Sequence, residues 1–385
     1  AVELYHNNAK KIETTSSGIN VTGAINVNGS ALSAAPEVTG TASGSITAER
    51  GVIVNSDGTL SQASGTSPGM GANVSVGAVQ NGSEADRKDT AYIGNGKIIV
   101  AYVNTSNSYG MYRIGTINKS TNSVTFESAA YFHYSAVRYI STIYDPDTDR
   151  VILTWSNSNN GYINYMVGQY SSGATLSWGN PATVTGSNSP DSHACYIPGS
   201  QRVALVYRKV SNNNSATVLF GSVNGTAKTI SWSSGQWNSG SKYNFHIAPL
   251  GNKTQFAVMF RNASNQGYAM CFKVHSNGNS IAQEGNTVST GFNIFPTMSY
   301  DSSVDAMVFT GRNGLASDKI QALAVKFNDG TSNSDPAVTG SVVDVATDGN
   351  DNQGVAVVYN PDTSGTSIYY GRATKFKDLT INAST

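Results

Sequence analysis

The chain has 385 residues with 24 Lys and Arg against 24 Asp and Glu, and charged residues make up only 12% of it, where an average soluble domain carries roughly 25%. That balance excludes a basic stripe for nucleic acid and a polybasic segment for a membrane surface, and no run approaches the roughly eighteen apolar residues of a spanning helix. Polarity is left to Asn, Ser, Thr and Gly, which stay polar at any pH or salt and suit work outside a cell.

Residues 1–36 predict an extended stem. Val2, Leu4, Ile12, Ile19, Val21, Ile25 and Val27 punctuate polar residues, with Gly18, Gly23 and Gly29 at turns. Such strands are too sparse in apolar side chains to build a core alone. Partner chains would supply the missing surface, and closed threefold symmetry would allow it, so a homo-oligomer, a trimer, is expected. The opening Ala1–Asn8 lacks the hydrophobic run of a leader, and a start without Met fits a processed product or a piece of a longer polypeptide. Residues 37–87 predict a small β region or linker: strands over Ile46–Val54 and Val74–Val79, with the hairpin signal Asn55-Ser56-Asp57-Gly58 between them.

From 88 to 385 an apolar strand ending in an aromatic residue recurs. The segments are Ile99–Tyr102, Ile152–Trp155, Ala204–Tyr207, Ala257–Phe260, Ala306–Phe309 and Ala356–Tyr359, whose ends lie 53, 52, 53, 49 and 50 residues apart. Each unit has an incoming strand, a turn such as Asp145–Asp149, the apolar strand, a polar loop, a third strand with a small residue (Gly115, Gly168, Gly221, Cys271, Ala324, Gly371) and a fourth strand. One such unit cannot bury its apolar face alone. Four-part units near fifty residues predict an all-β fold, a six-bladed β-propeller; a seventh blade from residues 45–80 or from sequence beyond 385 stays open. The small residues fit close approach of sheets near a shared axis.

Chemistry is sparse. The five histidines make no metal-spaced motif, although His193 and His246 sit at similar places in adjacent incoming strands and would line a channel together. Asp145, Asp147 and Asp149 alternate as calcium ligands do, but no later acid completes the loop. Asp305, Asp344 and Glu127 are the main strand-borne acids and recur with no matching arginine cluster. Cys195 and Cys271 predict buried free thiols. No catalytic residue, metal or cofactor is expected, and the chain is expected not to be an enzyme. Polar loops carrying aromatics follow the apolar strands and should share one face. Tyr109, Tyr162 and Tyr268 are the candidate glycan contacts there, because sugars are held by stacked rings and neutral hydrogen-bonding groups.

The segment Ser56-Asp57-Gly58-Thr59-Leu60 resembles the turn repeated in sialidases, but it lacks that turn's aromatic end and falls outside the repeats, so it is set aside. The opening Glu3–Gly23, with Glu13-Thr14-Thr15 and Val21-Thr22-Gly23 as its recognisable parts, resembles a stem segment of tail-fibre and related virion proteins of marine bacteriophages, especially cyanophages. Gly51–Leu60 and Ala373–Thr380 are similar to modules of such fibres. The resemblance implies a trimeric β stem, other virion proteins as partners, a place on the virion as a tail fibre or surface appendage, and continuation beyond residue 385. The expectation is a non-enzymatic fibre protein displaying propeller heads for attachment to a host-surface glycan, with a purely structural virion role or a polysaccharide-processing propeller as alternatives.

Overall fold

The computed structural model describes residues 88–346 apart from 105, 119–122, 174, 187, 236–239, 276–279, 315–318 and 328–337. Outside that span it describes 2–16, 18–22, 25–27, 30–32, 41–42, 52–54, 59–62, 355–360, 365–370 and 375–379. Ala1–Met70 and Gly71–Thr385 are separate compact units.

In the first unit, β1 (Glu3–His6), β2 (Ala9–Thr15) and β3 (Gly18–Val21) form an antiparallel meander. Leu4 lies opposite Ile12, and Ile12 opposite Val21, so one apolar row crosses all three strands. The other face is tied by Lys10, whose Nζ reaches Glu3 at 2.5 Å and Glu13 at 2.8 Å. Leu4 at one end of that row is 55% exposed, while Ile12 and Val21 are half-buried. Two further pairs follow, β4 (Ile25–Val27) with β5 (Ser30–Leu32) and β6 (Val52–Val54) with β7 (Leu60–Gln62). Val54 faces Leu60, while the turn Asn55–Gly58 itself and the strand expected at Val74–Val79 lie outside the described residues.

The second unit is a series of antiparallel sheets. The first is β8 (Lys88–Tyr92), β9 (Lys97–Val103), β10 (Tyr109–Asn118) and β11 (Ser123–Phe126). Next come β12 (Ala130–Asp145), β13 (Arg150–Asn157), β14 (Ile163–Ser172) and an outer strand in two pieces, β15 (Thr175–Trp178) and β16 (Ala182–Thr185). The third is β17 (Ser192–Ile197), β18 (Arg202–Lys209), β19 (Ser215–Asn224) and β20 (Thr229–Gly235). The fourth is β21 (Lys242–Pro249), β22 (Gln255–Asn262), β23 (Gly267–Val274) and β24 (Ile281–Ser289). In the fifth, β25 (Ile294–Asp301), β26 (Ala306–Asn313) and β27 (Lys319–Lys326) carry β28 (Val338–Thr339) and β29 (Val343–Ala346) on the outer edge. The sixth shows β30 (Val355–Asn360), β31 (Gly365–Tyr370) and β32 (Lys375–Leu379).

First strands stand side by side, β8 by β12, then β17, β21, β25 and β30. Side chains of one cap the backbone of the next: Thr142 N–H donates to Asp89 at 2.6 Å, Ala194 N–H to Ser141 at 3.1 Å, and Tyr359 N–H to Ser299 at 3.0 Å. Sheets arranged radially in this way are the blades of a β-propeller.

The apolar core lies between blades, in five layers. Alternation along each second strand decides which layer a residue joins: Val151, Leu153 and Trp155 face the first blade, and Ile152 faces the third. Tyr207, Phe260 and Phe309 likewise point at the preceding blade. Because both faces are covered, these strands are apolar at nearly every position, and the threonines that interrupt them, Thr154 and Thr310, are fully buried. A second seam repeats farther out. The Tyr112 hydroxyl accepts from Leu176 N–H at 3.0 Å, with its ring edge-on to Trp178; one blade on, Tyr165 meets Ile230 N–H at 3.2 Å and Trp232.

Two expectations are corrected. Ala356–Tyr359 belongs to β30, a first strand, because it lies beside β25 and takes the Ser299 bond that marks first strands. The small residues of the third strand do not serve approach to the axis. A Cβ at Gly168 would sit 2.4 Å from the Trp178 ring and one at Gly221 2.5 Å from Ile230 and 3.0 Å from Trp232, so glycine makes room for a side chain of its own blade's outer strand. Gly371 lies outside the described residues. Cys195 and Cys271 are buried thiols, neither of them in a disulfide.

Burial raises the Asp89 carboxyl to about 7, against the pull of the Thr142 and Thr90 N–H groups it accepts. Between its ordinary 3.8 and 7 the folded chain therefore keeps a proton that the unfolded chain has lost, and the stability this group contributes disappears as pH rises through 7. Asp89→Asn is expected to gain on the parent in thermal midpoint between pH 5 and pH 8, whatever constant offset the amide brings. An unchanging gap across that range would show that Asp89 is ionised throughout.

Candidate functional site

Antiparallel order puts the connections from second to third strands at one end of every blade, together with the connections into the next first strand. The loop after Asn104, Asn157–Tyr162, Val210–Asn214 and Asn262–Gln266 therefore share one face, and backbone bonds such as Ser189 N–H to Gly161 O (2.8 Å) and Lys242 N–H to Asn214 O (3.1 Å) knit it. Three first strands are bulged at this end, after Arg138, Tyr243 and Ile294. Tyr139 and Asn244 take positive φ there, 52° and 54°. Bulges re-aim side chains and favour the surroundings of functional sites.

On this face the third and fourth blades build a cationic cluster. Arg208 and Arg261 each follow the aromatic end of a second strand. The Arg208 guanidinium lies 4.9 Å from the centre of the Tyr243 ring and that of Arg261 5.4 Å. Arg208 Nε pairs with the buried Asp191 at 2.9 Å, and its Nη1 donates to Asn214 Oδ1 at 3.4 Å. Arg261, half-buried beside its cross-strand neighbour Tyr243, makes no hydrogen bond or ion pair among the described residues, and its Nε is buried without a partner. Lys242 is 8% exposed with its ammonium 4.7 Å from the Phe260 ring centre, and burial lowers its pKa. Behind them the backbone is closely packed: a Cβ at Gly267 would lie 1.6 Å from the Phe292 carbonyl oxygen.

A guanidinium left without an acceptor when partly out of water calls for an anion, and a planar fork beside a ring suits a carboxylate or sulfate. The bare Tyr243 hydroxyl adds a neutral donor.

The three tyrosines expected from sequence lie on three blades, and among the described residues no ring contact joins any two of them. Tyr109 lies edge-on to Tyr131 and Tyr134. Tyr162 is 36% exposed on its loop. Tyr268 stacks on Phe260 at 5.8 Å, donates to Gln266 Oε1 at 3.1 Å and packs on the core, which makes it a loop anchor. His193 and His246 do meet, ring centres 4.4 Å apart with both Nδ1 atoms buried and unpartnered; burial holds His193 down at about 4 and His246 well below its ordinary value. The alternating aspartates are occupied by the protein itself. Asp145 accepts from Asp147 N–H and Thr148, Asp147 from Gln201, and Asp149 from the Tyr144 hydroxyl. Asp305 is held by Lys253 and Tyr300, and Asp344 by Lys319 and Gln321. Among the described residues no group of three His, Cys, Asp or Glu side chains is placed to hold a metal ion.

Sequence reasoning missed Arg208, Arg261 and Tyr243. The available signal was the recurrence of an aromatic-arginine pair, Tyr207-Arg208 and Phe260-Arg261, at one repeat's spacing.

Fold and site together define a β-propeller with an arginine–tyrosine cluster on its loop face. A solved structure sharing the fold is the Hadza microbial sialidase Hz136, with a TM-score of 0.51 and 10% identity over 77% of this chain and 65% of that one. Weaker superpositions reach Trypanosoma rangeli sialidase in complex with sialic acid (TM-score 0.48, 11% identity, 85% of this chain and 56% of that chain) and an exo-beta-1,3-galactanase from Phanerochaete chrysosporium (TM-score 0.41, 11% identity, 74% of each). The chain spans a little over half the length of the trypanosomal sialidases it matches. Neither a family model nor a curated protein sequence matches the chain. At these identities the likeness is one of fold. The expectation of a non-enzyme is corrected to that extent: the propeller it treated as a display head is a fold that an enzyme, the Hadza microbial sialidase, shares.

Proposed function

We propose that the chain is a polysaccharide-processing propeller that engages an anionic sugar at the Arg208–Tyr243–Arg261 cluster. The observation that carries this reading is Arg261, a half-buried guanidinium with a ring partner and no acceptor. Arg208, fixed by Asp191, supplies the second fork, and the Tyr243 ring holds both guanidinium groups beside one another. Incubating the intact chain with sialylated, uronate-bearing, sulfated and neutral glycans and measuring released sugar tests it. Release from at least one acidic glycan, lost in Arg261→Ala, is the expected result. Neither release nor millimolar binding of any acidic glycan would sink it.

The stem-like opening extends the proposal to an appendage that presents this face on a virion to a host-surface glycan as a trimer. The comparisons carry nothing on such an origin, so it rests on Glu3–Gly23 and on the apolar row Leu4–Ile12–Val21, exposed at Leu4. Light scattering on the intact chain and on one lacking residues 1–36 decides it, with identical monomer masses as the excluding result.

A further inference from the structure

A second aromatic cluster lies on the same face at the first blade, away from the cationic blades. Tyr131 and Tyr134 rings are 5.0 Å apart and tilted by 31°, and Tyr109 stands edge-on to both at 6.2 Å. Tyr134 is 72% exposed. Tyr134 falls in a bulge, between His133 opposite Gly110 and Ala136 opposite Tyr109, where a strand re-aims its side chains. The reason lies in β12. Its first residues complete the edge of the first blade against β10, with Met111 opposite Tyr131, before the strand runs on into the second blade.

The mount is rigid. Tyr109 N–H is held by Asn107 Oδ1 at 3.0 Å, and Val137 N–H by Ser108 O at 3.0 Å. From the other side, Ser158 N–H bonds Ala136 O at 2.9 Å, and Asn159 Nδ2 reaches Ser135 Oγ at 3.3 Å. Two second-to-third-strand loops thus clamp the segment that carries Tyr134. Among the described residues no cation stacks on these rings and none of the three hydroxyls has a protein partner. The rim consists of uncharged amides and hydroxyls: Asn107, Ser135 and Asn159.

We infer that Tyr109, Tyr131 and Tyr134 form a neutral-sugar subsite, in which the C–H face of a pyranose lies on the Tyr131–Tyr134 platform and its hydroxyls bond the phenols and the asparagine rim. A ring face attracts polarised C–H groups, and unpaired phenols donate and accept without charge. Among the described residues the rim groups that hold the platform, Asn107, Ser135 and Asn159, carry no formal charge, which favours an uncharged saccharide here over the acidic one that the arginine cluster calls for. The subsite deepens the glycan-processing reading by adding a second contact along a chain of mixed neutral and acidic sugars, but it binds independently of Arg261.

The test uses the intact chain with neutral glucose, galactose and mannose oligosaccharides, followed by calorimetry and saturation-transfer NMR. At least one series binds, Tyr134→Ala weakens it about tenfold, Tyr134→Phe keeps most of the affinity, and Arg261→Ala leaves it unchanged. Because Tyr134 lies mostly in water, its removal spares the core. Absence of neutral-sugar binding at millimolar concentration, or equal affinity in Tyr134→Ala, overturns the subsite. Neutral binding that persists when no acidic glycan binds overturns the arginine reading alone and supports this one.

Discussion

Replacing Arg261 with alanine is expected to reduce affinity for a carboxylated or sulfated oligosaccharide by about ten- to a hundredfold while leaving the thermal midpoint nearly unchanged. Hydrogen bonds to a charged group are worth about 1.5–3 kcal/mol each, and a bidentate fork concentrates that on one residue. Stability is spared because, among the described residues, the Arg261 guanidinium makes no hydrogen bond or ion pair and its ring contact is with Tyr243. Arg208→Ala is a poorer experiment, since it strands the buried Asp191 carboxylate and disturbs folding and binding together. Arg261→Lys keeps the charge but loses the planar fork, so it should recover only part of the affinity. Calorimetry against one acidic and one neutral oligosaccharide at two salt concentrations reads all of this. Equal affinity of Arg261→Ala and the parent for the acidic ligand would remove the cluster from function.

The largest effect on stability is expected from Trp155→Ala, about 3–5 kcal/mol. Trp155 has no exposed surface and fills the layer between the first two blades, with Phe132 at 5.3 Å and His133 at 5.0 Å. β13 is paired on both sides, by β12 and β14, so the hole cannot close by a simple strand shift. Trp155→Phe keeps most of the filling and should cost far less. Urea unfolding at an unchanged m-value measures both. A loss below about 1 kcal/mol for the alanine variant would show that the ring does not hold the blades together.

The residues that made the fold legible are those buried on both faces. Ala204–Tyr207 and Ala257–Phe260 are apolar at every position, and Ile152–Trp155 at all but the buried Thr154, because a neighbouring blade covers each side, and that signal survives without an alignment. The same logic misplaced the last repeat. A first strand such as Val355–Tyr359 carries the composition of a second strand, and only the Ser299 bond tells them apart. Gly168 and Gly221 were visible as a pattern, but their purpose depends on which ring lies across the strand, which spacing does not encode. The cationic cluster was hidden for a related reason. Arg208 and Arg261 sit 53 positions apart in sequence and converge only because the bulge before His246 turns Tyr243 between them. Of the three tyrosines chosen from loops, Tyr109 was found without its companions, since Tyr131 and Tyr134 lie on a strand and carry no loop signature.

The sixteen residues of Ala130–Asp145 serve as the rim of one blade and the hub of the next. A strand owned by two sheets welds them: neither can be peeled away while the other stays whole. Under tension or protease these two blades therefore yield together, and the platform riding on that shared strand keeps its shape until both are gone.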